Sequence, residues 1–247
     1  MKQTPLTAIS QPFPGTPVKG VLQKRYKRFL ADVLLEDNSL VVAHCPNSGA
    51  MTGCAEPGMP VLLSHHHPKG RRTAYTWEMA QANKAWMCVN TNMPNRLAVA
   101  AARAGVGDYF TGNIGVQPEV KINQHTRLDL LVKHPKHSLY VEVKSVTLRA
   151  QDYGCFPDAP TLRGQKHLKE LMALKAQGHQ ALMLYLVGRP DVHAFTPARH
   201  IDPAYAALLE QAVAVGVDVL VWQIKAGPQG LRLWRQLPWD LHGLNTN

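Results

Sequence analysis

Residues 127–144, RLDLLVKHPKHSLYVEVK, hold the side chains best suited to chemistry. Pro135, set among polar neighbours, divides this stretch into two strands that should form a hairpin. A loop symmetric about Pro135 and Lys136, of either two or four residues, sets Asp129 directly across from Glu142. Alternation along Val141-Glu142-Val143-Lys144 puts Glu142 and Lys144 on one face and the valines on the other. Asp129, Glu142 and Lys144 are therefore expected to converge on one side of a sheet. Two carboxylates facing each other across a strand pair cost a few tenths to ~1 kcal/mol when exposed. A hard divalent cation, Mg²⁺ or Mn²⁺, removes that cost. Such an ion can polarise a scissile phosphodiester and acidify a bound water, while Lys144 orients the water or steadies developing charge. A three-residue loop at Asn123–His125 would set Glu119 opposite Asp129 as a third carboxylate. The competing reading is plain: Glu-x-Lys on a strand is also the pattern of a solvated ion pair.

The elements that must position these residues fall into two groups. Val18–Gln23, Phe29–Leu35, Leu40–His44, Pro60–Ser64, Thr73–Glu78 and Ala85–Val89 are strand-sized runs separated by turn signals such as Glu36-Asp37-Asn38-Ser39 and Glu56-Pro57-Gly58. So many short strands in so short a span predict a small closed barrel of OB type. The pattern then changes. Pro94–Ala104 reads as a helix, followed by strands at Val116–Ile122, Arg127–Lys133 and Leu139–Val146. A helix at Leu162–Ala176, a buried strand at Ala181–Val187, a helix at Pro203–Val215 and a strand at Asp218–Ile224 complete the series. The fold class expected is α/β (α+β): a barrel over residues 1–88, then a mixed-sheet domain over 89–247.

Charge points to the partner. The 247 residues include 27 Lys and Arg against 17 Asp and Glu, a formal net charge of +10. That surplus favours approach to a polyanion, so nucleic acid is considered first. Met1–Pro14 lacks the apolar run of a signal peptide, and no stretch is long and uncharged enough to span a bilayer. The four cysteines, at 45, 54, 88 and 155, show no CxxC spacing, which fits reduced thiols in a cytoplasmic protein.

Further features divide between function and scaffold. Lys19, Lys24, Arg25, Lys27 and Arg28 surround Tyr26 and Phe29, a mixture suited to phosphates and stacked bases. Tyr75 and Trp77 are similar candidates, whereas Phe29 reads better as core. Thr161 is a plausible cap for the helix that begins near Leu162, with Arg163, Lys166, His167 and Glu170 on its polar side. Its first turn, beside Arg163, can hold a phosphate or simply face solvent. His65-His66-His67 cannot easily share one ion, because consecutive strand residues face opposite ways. Cys45 and Cys54 with His44 have no zinc spacing.

Several motifs in order carry a resemblance. They are Lys27-Arg28-Phe29-Leu30-Ala31-Asp32, His44-Cys45-Pro46-Asn47-Ser48-Gly49-Ala50-Met51, Val89-Asn90-Thr91, Glu142-Val143-Lys144-Ser145-Val146-Thr147-Leu148, Phe156-Pro157-Asp158-Ala159, Arg163-Gly164-Gln165-Lys166-His167-Leu168 and Ile201-Asp202-Pro203. Over nearly its whole length the sequence resembles the bacterial and archaeal sugar fermentation stimulation protein A family. The resemblance implies an OB-type barrel and a domain similar to the PD-(D/E)xK nucleases. It also implies sequence-nonspecific DNA binding and a regulatory part in maltose or other sugar metabolism. On the superfamily pattern Asp129 and Glu142 are the metal carboxylates and Lys144 the catalytic lysine. The resemblance further favours functional roles for Asp158, Arg163 and His167. One departure stands out: Pro94–Ala104 lacks the acidic residue that many superfamily members carry on this helix. Three functions follow as expectations: a nonspecific DNA-binding protein with a nuclease-like domain, an active Mg²⁺-dependent nuclease on DNA or RNA, and a protein-interaction factor whose charge is incidental.

Overall fold

The computed structural model describes residues 4–66, 70, 72–82 and 84–244. The chain begins with a short strand, β1 (Ser10–Pro12), and then winds a barrel from β2 (Thr16–Tyr26), β3 (Leu30–Leu35), β4 (Leu40–His44), β5 (Pro60–His65), β6 (Tyr75–Ala82) and β7 (Ala85–Cys88). Its strand order is β4-β3-β2-β5-β6-β7, and parallel pairing of Ala43 with Tyr75 and His44 with Thr76 joins β4 to β6 and closes the sheet. The long β2 makes this possible, because it pairs with β3 along one edge and β5 along the other. A register shift between Leu22 and Lys24 lets it bend between them. Leu22, Val33, Leu63, Trp77 and Met87 fill the interior.

The second body is layered. Its elements are α1 (Asn92–Arg103), β8 (Gly115–Lys121), β9 (Arg127–Lys133), β10 (Ser138–Val146), β11 (Leu148–Ala150), β12 (Tyr153–Phe156), α2 (Leu162–Ala176), β13 (Gln180–Val187), β14 (Ala194–Pro197), α3 (Pro203–Ala214), β15 (Asp218–Gly227) and β16 (Gly230–Gln236). A seven-stranded sheet runs β1-β16-β15-β13-β10-β9-β8, with β10, β13 and β15 parallel at its centre. β13 reads ALMLYLV because helices cover both of its faces. On one side α1 packs Leu97, Ala98, Ala101 and Ala102 onto the sheet, the small residues allowing close approach. On the other, α2 and α3 contribute Leu168, Leu171, Tyr205 and Leu209. β11, β12 and β14 form a separate small sheet.

One expectation about organisation changes, and one feature is new. β1, grouped by sequence with the barrel, instead pairs with β16 at the edge of the large sheet. The two bodies also share an interior: Leu62, Met79 and Cys88 of the barrel lie in one apolar cluster with Leu97, Val141 and Leu184. A shared core of this kind makes their relative placement part of the fold. Among the described residues no helix is long and apolar enough to cross a membrane.

Candidate active site

The hairpin of β9 and β10 fixes the central residues. Its loop spans residues 134–137, with His134 N donating to His137 O at 2.9 Å, and pairing runs from Lys133↔Ser138 to Leu130↔Val141. The next pair in that register would be Asp129 and Glu142, but there the strands part. The Val143 amide donates to Asp129 Oδ2 at 2.7 Å, so a side chain takes the place of the next ladder carbonyl. The irregularity reaches further: Leu128 packs with Val146 and Leu168, whereas Leu130 packs with Leu97 on the opposite face. Asp129 therefore enters from the gap between diverging strands rather than from a flat sheet face. Even so, it opens into the same cleft as Glu142 and Lys144.

Glu142 is almost wholly buried. Its Oε1 accepts from Lys144 Nζ at 2.6 Å and also contacts His167 Nδ1 from α2, while Oε2 has no partner. Lys144 Nζ lies 3.3 Å from the same ring nitrogen. Burial is the largest influence on Glu142 and opposes ionisation, but Lys144 and His167 outweigh it and hold the carboxyl below its usual range. Asp129 goes the other way. Burial first, and the Glu142 carboxylate second, push it up to about 7, against the pull of the Val143 amide and Lys144. Burial thus sets the direction, and the neighbouring carboxylate adds to it.

Asn95 lies on α1, the helix without an acidic residue, and its Nδ2 donates to Asp129 Oδ1 at 2.8 Å. Sequence reasoning missed it because it looked for a carboxylate. Glu119 sits in β8 opposite Asp129, between the pairs Pro118↔Leu130 and Val120↔Leu128. Its backbone is left-handed (φ 53°), it pairs with neither strand residue, and its exposed carboxylate lies 3.7 Å from Arg127. It lines the cleft but has turned partly towards solvent.

The cleft, about 560 Å³, runs between barrel and sheet. Its barrel wall is the loop Asn47–Gly49, held from three directions. Arg25 donates to Asn47 O at 2.8 Å and Gly49 O at 3.0 Å. Thr91 Oγ1 donates to Pro46 O at 2.7 Å. Asp158 presses against Gly49, where any Cβ would sit 2.4 Å from its carboxylate, and accepts the Met51 amide at 3.1 Å. Several motifs scattered along the sequence thus meet at one wall. Arg28 and Arg163 line the opening. Thr161 caps α2 by accepting the Gly164 amide at 3.0 Å, and its own amide donates to Asp202, the cap of α3, at 2.8 Å.

Other expected contacts are placed differently. His167, assigned by sequence to the polar side of α2, is 4% exposed and faces Glu142 rather than solvent. Arg25 is consumed by backbone carbonyls. Lys24 lies 3.3 Å from Asp32, which also accepts the Tyr26 hydroxyl at 2.9 Å. Lys27 is exposed on the turn, and Lys166 Nζ donates to His125 O at 3.2 Å. Trp77 is fully buried, its Nε1 donating to Met79 O, while Phe29, expected in the core, is 50% exposed at the turn. His65 stacks on Tyr75, and His67 lies outside the described residues. Cys45 and Cys54 are buried, with burial raising both thiols, Cys54 to about 12.

Barrel, layered sheet and intervening cleft define an OB-type barrel domain followed by a layered α/β domain. Residues 24–89 match the SfsA N-terminal OB domain, and residues 92–230 match the sugar fermentation stimulation protein RE domain. The chain belongs to the sugar fermentation stimulation protein family. A sugar fermentation stimulation protein homolog of Geotalea daltonii is 44% identical over 221 residues, covering 90% of this chain and 96% of the relative. One from Pseudoalteromonas atlantica is 45% identical over 224 residues, covering 90% and 96%. The structure of Pyrococcus furiosus SfsA in complex with Ca²⁺ superposes with a TM-score of 0.85 at 23% identity, over 93% of this chain and 98% of that one, which establishes the shared fold.

Proposed function

We propose that this chain is a sequence-nonspecific DNA-binding protein whose cleft cleaves phosphodiester bonds with a divalent cation, Mg²⁺ or Mn²⁺. The observation that carries the reading is the meeting of Asp129, Glu142 and Lys144 in one polar cleft, with Glu142 Oε2 buried and unpartnered. A buried carboxylate oxygen without a partner is costly, and a cation supplies one. Among the described residues no three His, Cys, Asp or Glu side chains form a ready-made cage. Two carboxylates suit an ion that keeps several waters and takes further oxygens from its substrate. The Pyrococcus furiosus relative solved with Ca²⁺ gives a precedent for a hard cation in this fold.

The residues divide the work. Asp129 and Glu142 would hold the ion, which when bound supplies Lewis acidity and acidifies a water. Asn95 orients Asp129 by its amide. Lys144 Nζ, beside Glu142, is placed to steady negative charge developing on the phosphoryl oxygens. Arg28 and Arg163 meet the flanking phosphates at the rim, with Lys27 and Lys166 further out, a contact set that carries no sequence information. Glu119 is an additional acidic group near Asp129 that a bound substrate could draw inward. Four unpaired, buried cysteines support a cytoplasmic setting, and a regulatory part in sugar metabolism would act through DNA.

A second reading has its own observation. Lys144 and His167 already balance Glu142, so the cleft can bind DNA without an ion and without cutting it. Purified protein incubated with plasmid and single-stranded DNA, with Mg²⁺ or Mn²⁺ against EDTA, separates the two. Cleavage that needs metal and disappears in Asp129→Ala and Glu142→Ala is the expected result. Retained binding with no cleavage under any metal leaves the binding-only reading.

A further inference from the structure

We propose that His167 is a positioning residue for the cation: its Nδ1–H, together with Lys144 Nζ, claims Glu142 Oε1 and so presents Oε2 to the ion. The inference rests on the metal reading above and assigns a part to a residue that reading does not use. Four observations lead to it. His167 is buried, so its ring is held by packing and not free to swing. Its Nδ1 contacts Glu142 Oε1, and two lone pairs cannot face each other there, so the ring donates from that nitrogen. Lys144 donates to the same oxygen at 2.6 Å, so both donors converge on Oε1 and neither bonds Oε2. The helix that carries the ring is itself anchored, through the Thr161 cap and its bond to Asp202 and through Leu168 and Leu171 in the core.

A carboxylate with one oxygen doubly held cannot rotate to offer both oxygens to the lysine. Without the His167 donor, Lys144 alone would steer Glu142, and the carboxylate could turn to bring Oε2 to the ammonium as well. The ligand would then be withdrawn from the cation although Glu142 itself was intact. This is the usual part of an outer partner at a metal site: it fixes the direction of a ligand it does not replace.

The test is calorimetric titration of the full-length protein with Mn²⁺ and with Ca²⁺, in the absence of DNA. His167→Leu keeps bulk and loses the donor, and should weaken binding by about 10- to 100-fold. His167→Asn can place an amide N–H where Nδ1 stood and should recover most of the affinity. His167→Gln, longer by one methylene, should not. If His167→Leu fails to fold, the Asn and Gln pair decides. Unchanged affinity in His167→Leu, or equal affinity of the Asn and Gln variants, overturns the proposal. No binding of either ion by the unmodified protein overturns it too, but by removing the metal reading on which it stands. A merely structural histidine would lower the unfolding temperature of each variant in metal-free buffer without separating Asn from Gln in metal affinity.

Discussion

The β2–β3 turn of the barrel and the diverging ends of β9 and β10 are both rich in charge, yet they dispose of it in opposite ways. At the turn the cations are exposed or already engaged: Lys24 with Asp32, Arg25 with the carbonyls of the 47–49 loop, Lys27 and Arg28 towards solvent. Lys24 could exchange its partner for water at little cost. In the cleft the charges are desolvated and depend on one another. Lys144 and His167 hold Glu142 ionised against its burial, and Asp129 resists ionisation because it is buried and, second, because Glu142 is there. A surface rich in charge binds polyanions. A buried, coupled set of charges is what tunes a group for chemistry.

The widest separation should appear in stability, between the exposed turn and the interior of the barrel that carries it. Trp77→Ala removes a fully buried ring from the barrel and should cost roughly 3–5 kcal/mol in urea unfolding. Phe29→Ala, at the turn, should stay within roughly 0.5 kcal/mol. Equal losses would mean that the turn is packed in solution. Next in size comes Lys144→Met, which leaves the buried Glu142 carboxylate with one partner and should cost about 3 kcal/mol. Lys24→Ala, its exposed counterpart, should cost less than about 1 kcal/mol.

These contrasts also explain what the sequence could reveal. The pairing of β9 with β10 was legible because Pro135 and a period-2 pattern leave few registers, and a one-residue slip would turn Glu142 into the core. The departure from flat pairing at Asp129 was not legible, since it depends on Val143 bonding a side chain. Thr161 could be assigned as a cap from its own neighbourhood, while Asn95 and His167 needed tertiary contacts with residues 34 and 25 positions away. β16 was overlooked although Leu231 and Leu233 alternate with Arg232 and Trp234, and β1, only three residues long, carries no pattern at all without its partner. Phe29 and Trp77 were exchanged between core and surface. Composition alone says that an aromatic prefers burial, but not which one sits at a turn.

A smaller effect follows from Asp129. Its carboxyl is raised from 3.8 to about 7, so between those values the folded chain holds a proton that the unfolded chain has released. Stability from this group is therefore greatest at the acid end and falls as pH rises towards about 7, levelling beyond it. Thermal unfolding of the metal-free protein at pH 5.5 and 8, compared with Asp129→Asn, should show a steeper decline in the unmodified chain. Added Mg²⁺ should restore stability at pH 8 in that chain alone. Parallel curves would mean that neither burial nor the Glu142 carboxylate raises Asp129 in the folded chain.

The smallest expected effect discriminates most finely between turn and cleft. DNA affinity measured against salt has a slope set by the phosphates neutralised. Arg28→Ala and Arg163→Ala each remove an exposed guanidinium at the cleft opening and should lower that slope by about 1, for every DNA sequence alike. Lys24→Ala should change it less, because its ammonium already faces Asp32 at 3.3 Å and would have to leave that partner to meet a phosphate. If Lys24 proved equal to Arg28, DNA would be following the barrel at large. If Arg163 had no effect while Arg28 did, the strand would cross the turn without entering the cleft, and the binding surface would be separate from the carboxylates.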